Sequence, residues 1–230
     1  MRLDKYLCQN TDLTRSFAKK AISSRQVLVN SSVIKNTAFK VNAQDEVVYL
    51  GKRISTLGHR YLMLNKPTHY ICSTQNERHP SVLNLIDIEQ SQRLHIAGRL
   101  DVDTTGLVLI TDDGQWSHRV TSPKKDCYKT YQVDLAEAVD INLIDVFKKG
   151  FLLKNETKQT LPAKLVLQEK KRVLLSIKEG RYHQVKRMFA ATGNHVEALH
   201  RVVIGDIVLD KQLQAGEWRY LTQEEILSIN

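Results

Sequence analysis

Cysteine is scarce. Cys8, Cys72 and Cys127 are the three in 230 residues. Their spacing fits neither a disulfide framework nor a metal knuckle, so reduced thiols in a cytoplasmic protein are expected. Long apolar runs are missing too. No stretch approaches the ~18 uninterrupted apolar residues of a membrane span, and Met1-Arg2-Leu3-Asp4 does not open a signal peptide. No internal repeat or low-complexity tract is visible. What is present is an ordinary globular composition, 42% hydrophobic and 26% charged, which supports a real core. This length holds one large domain, or one large and one small.

Charge is unevenly placed. The formal net charge is +9, and residues 1–60 carry eleven Lys/Arg against four Asp/Glu, leaving 23 against 21 for the remainder. A small basic module joined to a nearly neutral body points to a nucleic acid partner, although a solvated basic surface has the same composition. Within the module, Leu3, Tyr6 and Leu7 share a helical face. A second helix, capped by Thr11 or Asp12, carries Leu13, Phe17, Ala18 and Ile22 as its apolar stripe and Arg15, Lys19 and Lys20 on its other face. Residues 27–30, 33–34 and 45–50 read as short strands. Glycines bracket residues 51–58, a segment without clear period that reads as a linker, dividing the chain into 1–58 and 59–230.

The body reads as many strands with a few helices. Strands are expected at 60–67, 70–73, 107–110, 127–135, 163–167, 173–177 and 200–210, with the alternation of Lys129, Tyr131 and Val133 the clearest. Helical segments are expected at 81–86, 116–120, 141–149, 180–189 and 224–229. This is an α+β body around a mostly antiparallel mixed sheet.

The most informative stretch is 97–114. Gly98 to Gly106 is polar and carries Asp101 and Asp103; Leu107-Val108-Leu109-Ile110 follows as a buried strand, closed by Asp112-Asp113-Gly114. Four readings compete. A plain turn uses the same residue types. A calcium loop would place Asp101, Asp103, Thr105, Gly106, Val108 and Asp112 at the EF-hand positions 1, 3, 5, 6, 8 and 12, but it needs flanking helices and a final Glu. A magnesium phosphatase motif would use Asp101 and Asp103, but it needs a strand running straight into the first Asp. The fourth reading is a carboxylate that attacks without metal.

Gly98-Arg99-Leu100-Asp101 followed by Asp103-Thr104-Thr105-Gly106-Leu107 resembles the signature loop of the pseudouridine synthases, most closely the RsuA-type branch acting on small-subunit (16S) ribosomal RNA. Asn65-Lys66-Pro67, Lys129-Thr130-Tyr131 and Arg181-Tyr182-His183-Gln184-Val185-Lys186-Arg187-Met188 are further shared features, in order. The front of the chain is similar to the αL RNA-binding module named after small-subunit ribosomal protein S-four. The similarity lies in Arg2-Leu3-Asp4-Lys5-Tyr6-Leu7, Thr14-Arg15-Ser16, Ala18-Lys19, Val27-Leu28-Val29-Asn30 and Asp45-Glu46-Val47. It departs from that module at Arg25 and Ser31, which stand where glycine is usual.

The resemblance implies roles one residue at a time. Asp101 matches the catalytic Asp, Tyr131 the active-site Tyr, Lys186 the basic residue beside the acid, and Arg99 the loop Arg that helps hold the everted substrate. Arg181, His183, Gln184 and Arg187 read as substrate contacts, and Arg2, Lys5, Arg15, Lys19 and Lys20 as RNA contacts of the front module. Asp103 is expected to hold the loop through Thr104 and Thr105. The implied reaction breaks the N1–C1′ bond of a flipped uridine and rejoins the base through C5. A neighbouring cation would keep Asp101 ionised. No cofactor or metal is implied. The implied partner is ribosomal RNA, met as a small-subunit assembly intermediate by a monomeric, cytoplasmic chain. Two other classes stay open: a non-catalytic RNA-binding factor on the same scaffold, and a metal phosphatase.

Overall fold

The computed structural model describes residues 1–55, 58–75, 77–123, 125 and 127–229. They form two compact units, Met1–Gly58 and His59–Asn230.

In the first unit, α1 (Leu3–Asn10) and α2 (Arg15–Ser23) pack on a sheet of β1 (Val27–Val29), β2 (Ser32–Val33), β3 (Val47–Tyr49) and β4 (Lys52–Arg53), ordered β2-β1-β3-β4. Leu3, Leu7, Ala18, Ile22, Val27 and Val47 form its core. The cap of α2 is Thr14, whose side chain accepts from Phe17 N–H. Thr11 instead closes α1, its hydroxyl donating to the Leu7 carbonyl at 2.7 Å. Phe17 is exposed and Ala21 is buried in its place, because Ala18, Ala21 and Ile22 follow the i, i+3, i+4 spacing of one face and Phe17 lies about a quarter-turn off it. Lys52 and Arg53 belong to a strand and Ile54 N–H donates to the Val47 carbonyl, so the first part of the expected linker is fold. Its Thr56 and Leu57 lie outside the described residues.

Arg25 and Ser31 have φ of 62° and 64°. The chain thus makes the glycine turns without glycine, at about 1–2 kcal/mol for each left-handed residue. Ser31→Gly removes that strain but loosens the unfolded chain by about 0.4–1 kcal/mol. The expected net gain lies between about zero and about 1.6 kcal/mol, read as a higher urea midpoint; a lower midpoint refutes it.

The second unit contains β5 (Tyr61–Lys66), β6 (His95–Ala97), β7 (Thr105–Thr111), α3 (Gly114–Thr121), β8 (Lys129–Leu135), α4 (Leu143–Lys149), β9 (Lys164–Glu169), β10 (Arg172–Ile177), α5 (Gln184–Ala191), β11 (Val196–Ile204), β12 (Ile207–Val208), β13 (Trp218–Tyr220) and α6 (Gln223–Leu227). The sheet runs β13-β5-β7-β11-β8-β10-β9. All its ladders are antiparallel except β7 with β11. β7 is buried from Gly106 to Thr111. Its Val108 and Ile110 join a core with Phe147 of α4 and Met188 and Phe189 of α5. Leu107 and Leu109 join another with Trp116 and Val120 of α3. A strand covered on both faces needs a continuous apolar run, which is what 107–110 shows.

Several elements differ from expectation. Residues 70–73 form no strand, only a bridge between Ile71 and Ser81. The stretch 200–210 is two strands split at Gly205. Residues 218–220 pair with β5 as an edge. No described helix is long and apolar enough to cross a membrane.

Candidate active site

Residues 98–104 connect β6 to β7. One edge of β7 is taken by β5. The other is shared, by β11 at Thr105 and Gly106 and by β6 at Leu109 to Thr111. The connection leaves the sheet at β6 and rejoins it seven residues later at the buried β7, which restricts its freedom. Two buried cations clamp it from beneath. Lys66 is fully buried, and its ammonium donates to the carbonyls of Val102 (3.2 Å), Thr104 (2.8 Å) and Pro67 (3.0 Å). Burial pushes its pKa down, while Asp103 and Asp101 are among the groups that oppose this. Arg201 of β11, only 2% exposed, donates from Nη2 to the Gly98 carbonyl (2.9 Å) and from Nε to the Leu107 carbonyl (2.8 Å). Such buried cations persist only where carbonyls satisfy them.

Above the clamps opens a cleft of about 830 Å³, lined by Arg99, Asp101, Asp103, Tyr131, His183 and Lys186 among others. The Asp101 carboxylate is about one-third exposed, and its Oδ1 lies 3.6 Å from Nε2 of His183. Lys186 does not grip Asp101. Its Nζ lies 2.7 Å from both oxygens of Asp103; burial pushes the Asp103 carboxyl up, but Lys186 together with a backbone hydrogen bond and His183 brings it below the usual carboxylate range. Register explains the correction. His183 stands just before α5 and Lys186 on its first turn, so the start of the helix offers two basic groups to two acids, and the pairs met are 101 with 183 and 103 with 186. Asp103 is thus held by Lys186 rather than by the threonines. Its partner is 27% exposed and its own side chain 65%, so a double-mutant cycle of Asp103→Asn and Lys186→Gln in urea unfolding is expected to give a coupling of at most about 1 kcal/mol. A coupling between 101 and 186 with none between 103 and 186 would reverse the assignment.

Tyr131 faces inward on β8, where alternate residues are buried. Its hydroxyl accepts from Arg201 Nη1 at 3.4 Å. Arg201 therefore ties the phenol, the start of the loop and β7 together. The sequence reading missed it, although an arginine inside a Val- and Ile-rich strand is a signal, since buried arginine demands fixed partners. The calcium reading fails on this geometry: strands flank the loop, and Lys66 takes up its inner carbonyls. Among the described residues no group of three or more His, Cys, Asp or Glu is arranged to hold a metal.

The sequence profile of RNA pseudouridylate synthase matches residues 60–191, and that of the S4 domain matches residues 1–47. The chain belongs to the RNA pseudouridylate synthase family. It is 54% identical over 231 residues to the ribosomal small subunit pseudouridine synthase A of Vibrio parahaemolyticus, covering 100% of this chain and 99% of that one. It is 50% identical over 230 residues to the protein of that name from Escherichia coli, covering 100% of both. A solved structure described as a crystal structure of pseudouridylate synthase is similar with a TM-score of 0.73 and 48% identity, again covering 100% of both chains.

The remaining candidates of this synthase divide sharply. Arg99 is exposed at the cleft and makes no hydrogen bond or ion pair with a described residue, so its guanidinium is free for substrate. Arg181 is not: it bonds Glu179 (3.1 Å), Glu156 (3.3 Å) and the carbonyls of Lys158 and Gln159. Gln184 is buried and holds Glu179 and the Arg181 N–H. Arg187 points away from the cleft to Glu156 (2.9 Å) and the Lys154 carbonyl (2.6 Å). Arg181 and Arg187 fasten the 154–159 segment to the start of α5, and Gln184 braces Arg181 and Glu179; Arg181 and Gln184 also line the cleft. In the first unit, Arg2 and Arg15 face the buried Asp4 at 2.8 Å and 3.6 Å, and Arg2 holds that carboxyl below its usual range. Lys5, Lys19 and Lys20 are exposed and form no ion pair with a described residue.

Proposed function

We propose that this synthase converts a uridine of small-subunit ribosomal RNA to pseudouridine, with Asp101 as the nucleophile. The observation that carries the reading is the Asp101 carboxylate held at the mouth of the cleft, beside His183 and the positive end of α5, over a loop clamped by Lys66 and Arg201. The flipped uracil enters the cleft and stacks on Tyr131. The N1–C1′ bond breaks, the base turns, and a C5–C1′ bond forms; the C5 proton leaves and N1 gains one, so the reaction is an isomerisation with no net electron transfer. The two small-subunit synthases of similar sequence support the choice of RNA. Flipping is easiest before folded RNA and proteins close over the site, which favours an assembly intermediate in the cytoplasm as substrate.

The test is release of tritium from C5-labelled uridine in small-subunit rRNA. A chain that binds the RNA and releases none is a non-catalytic factor. For the basic unit, exposed Lys19 and Lys20 serve as phosphate contacts. Replacing both with Gln is expected to weaken binding for all RNA sequences alike and to flatten the plot of log affinity against log salt by a slope of roughly two. An unchanged slope would remove them from the interface.

A further inference from the structure

One residue of the cleft is left unused by that reaction. Tyr182 is 77% exposed and lines the rim. Its ring stacks on His183 with centroids 3.8 Å apart and planes at 20°, and His183 in turn reaches Asp101 at 3.6 Å. The two rings thus form a short stack leading outward from the acid. Its inner face is taken by His183, and no other described ring or cation covers the outer face. A singly exposed aromatic is ordinary on a protein surface, but this one is held in place deliberately. His183 adopts φ of 48°, a left-handed conformation that costs a side-chain-bearing residue about 1–2 kcal/mol. Arg187 Nη1 donates to the Tyr182 carbonyl at 3.2 Å while its other donors are anchored on Glu156 and Lys154. Strain braced by a scaffold beside a reacting group is a mark of pre-organisation.

The geometry points to Tyr182 as the platform on which a base flanking the flipped uridine stacks. A uridine that leaves its helix exposes a face of its neighbour, and an aromatic ring at the mouth of the cleft replaces the lost partner. Every base has a π-face, so the platform tolerates any neighbour. This deepens the isomerase reading and rests on it, since a flanking base exists only where a uridine is flipped.

The test uses the full chain and a synthetic RNA spanning the uridine mapped by tritium release, made intact and with an abasic nucleotide on either side in turn. On intact RNA, Tyr182→Ala is expected to raise both Kd and KM about tenfold with kcat nearly unchanged, and Tyr182→Phe to stay near wild type. On one of the two abasic RNAs the wild-type and Tyr182→Ala chains are expected to bind alike, because the partner base is gone. A merely structural tyrosine would give the same loss on all three RNAs, and that result overturns the proposal, as does an unchanged Kd for Tyr182→Ala on intact RNA. Turnover by the wild-type chain tests the isomerase reading separately. An active enzyme whose Kd ignores Tyr182 sinks the stack alone.

Discussion

Asp101→Asn is expected to stop tritium release while leaving RNA binding within about threefold. The amide keeps the shape of the carboxylate but has neither its charge nor its nucleophilicity. Little structure depends on the side chain, whose nearest ionic partner is His183 at 3.6 Å. The loop is held through backbone groups instead, with the Asp101 carbonyl accepting from Thr104 N–H and the Val102 and Thr104 carbonyls accepting from Lys66. None of these changes in the variant. The loss is therefore expected in the chemical step, by about 10⁴-fold or more, equal to about 5 kcal/mol of transition-state stabilisation. Single-turnover kinetics at saturating RNA measure it directly. Turnover within tenfold of wild type would remove Asp101 from the reaction and place the chemistry on another group of the cleft.

Gly106→Ala is expected to cost about 3–5 kcal/mol of stability, from left-handed strain and overpacking together. Gly106 has φ of +98°, and a Cβ there would stand 2.3 Å from the Arg201 carbonyl oxygen and 2.8 Å from its nitrogen. Those atoms cannot yield. Arg201 pairs with Gly106 on one side and Tyr131 on the other, and its side chain holds Gly98 and Leu107. Relief requires prising β11 from β7, which carries away the clamp under the loop and the partner of the Tyr131 hydroxyl. Urea unfolding measures the first effect and kcat of the remaining folded fraction the second, which is expected to fall as well. Gly58→Ala is the control: a Cβ at that position meets nothing within 4 Å, and a change within about 0.5 kcal/mol is expected. Equal midpoints for the two variants would show that the close approach of β7 and β11 does not constrain the loop.

Much of the fold was legible because it repeats locally. Lys129, Tyr131, Val133 and Leu135 alternate in the sequence and are the buried residues of β8. The unbroken Leu107 to Ile110 run marked a strand covered on both faces. The segments that were missed have no period to read. β4 and β13 are two or three residues long and are strands only because a neighbour pairs with them. The second helix was given Thr11 or Asp12 as its cap, but the Thr11 hydroxyl closes α1 and Thr14 caps α2.

The site was legible at the level of which residues, less so at the level of which partner. Asp101, Tyr131, Arg99, His183 and Lys186 all line one cleft. Arg181 and Arg187 read from sequence only as basic residues near a helix start, a pattern that is the same whether the residue meets RNA or a distant glutamate. Glu156 is that glutamate, and no local pattern announces it.

By itself the sequence determined the periodicities, and through them the helices and strands, together with the acid-bearing loop and the glycine that lets it enter β7. Only the tertiary structure decided who faces whom: Lys186 with Asp103, His183 with Asp101, Arg201 with Tyr131. Each of these pairs joins segments about 70 or more residues apart. Such a contact is set by how a helix or strand lands against a loop, and a shift of one position would exchange the partners without altering any local pattern.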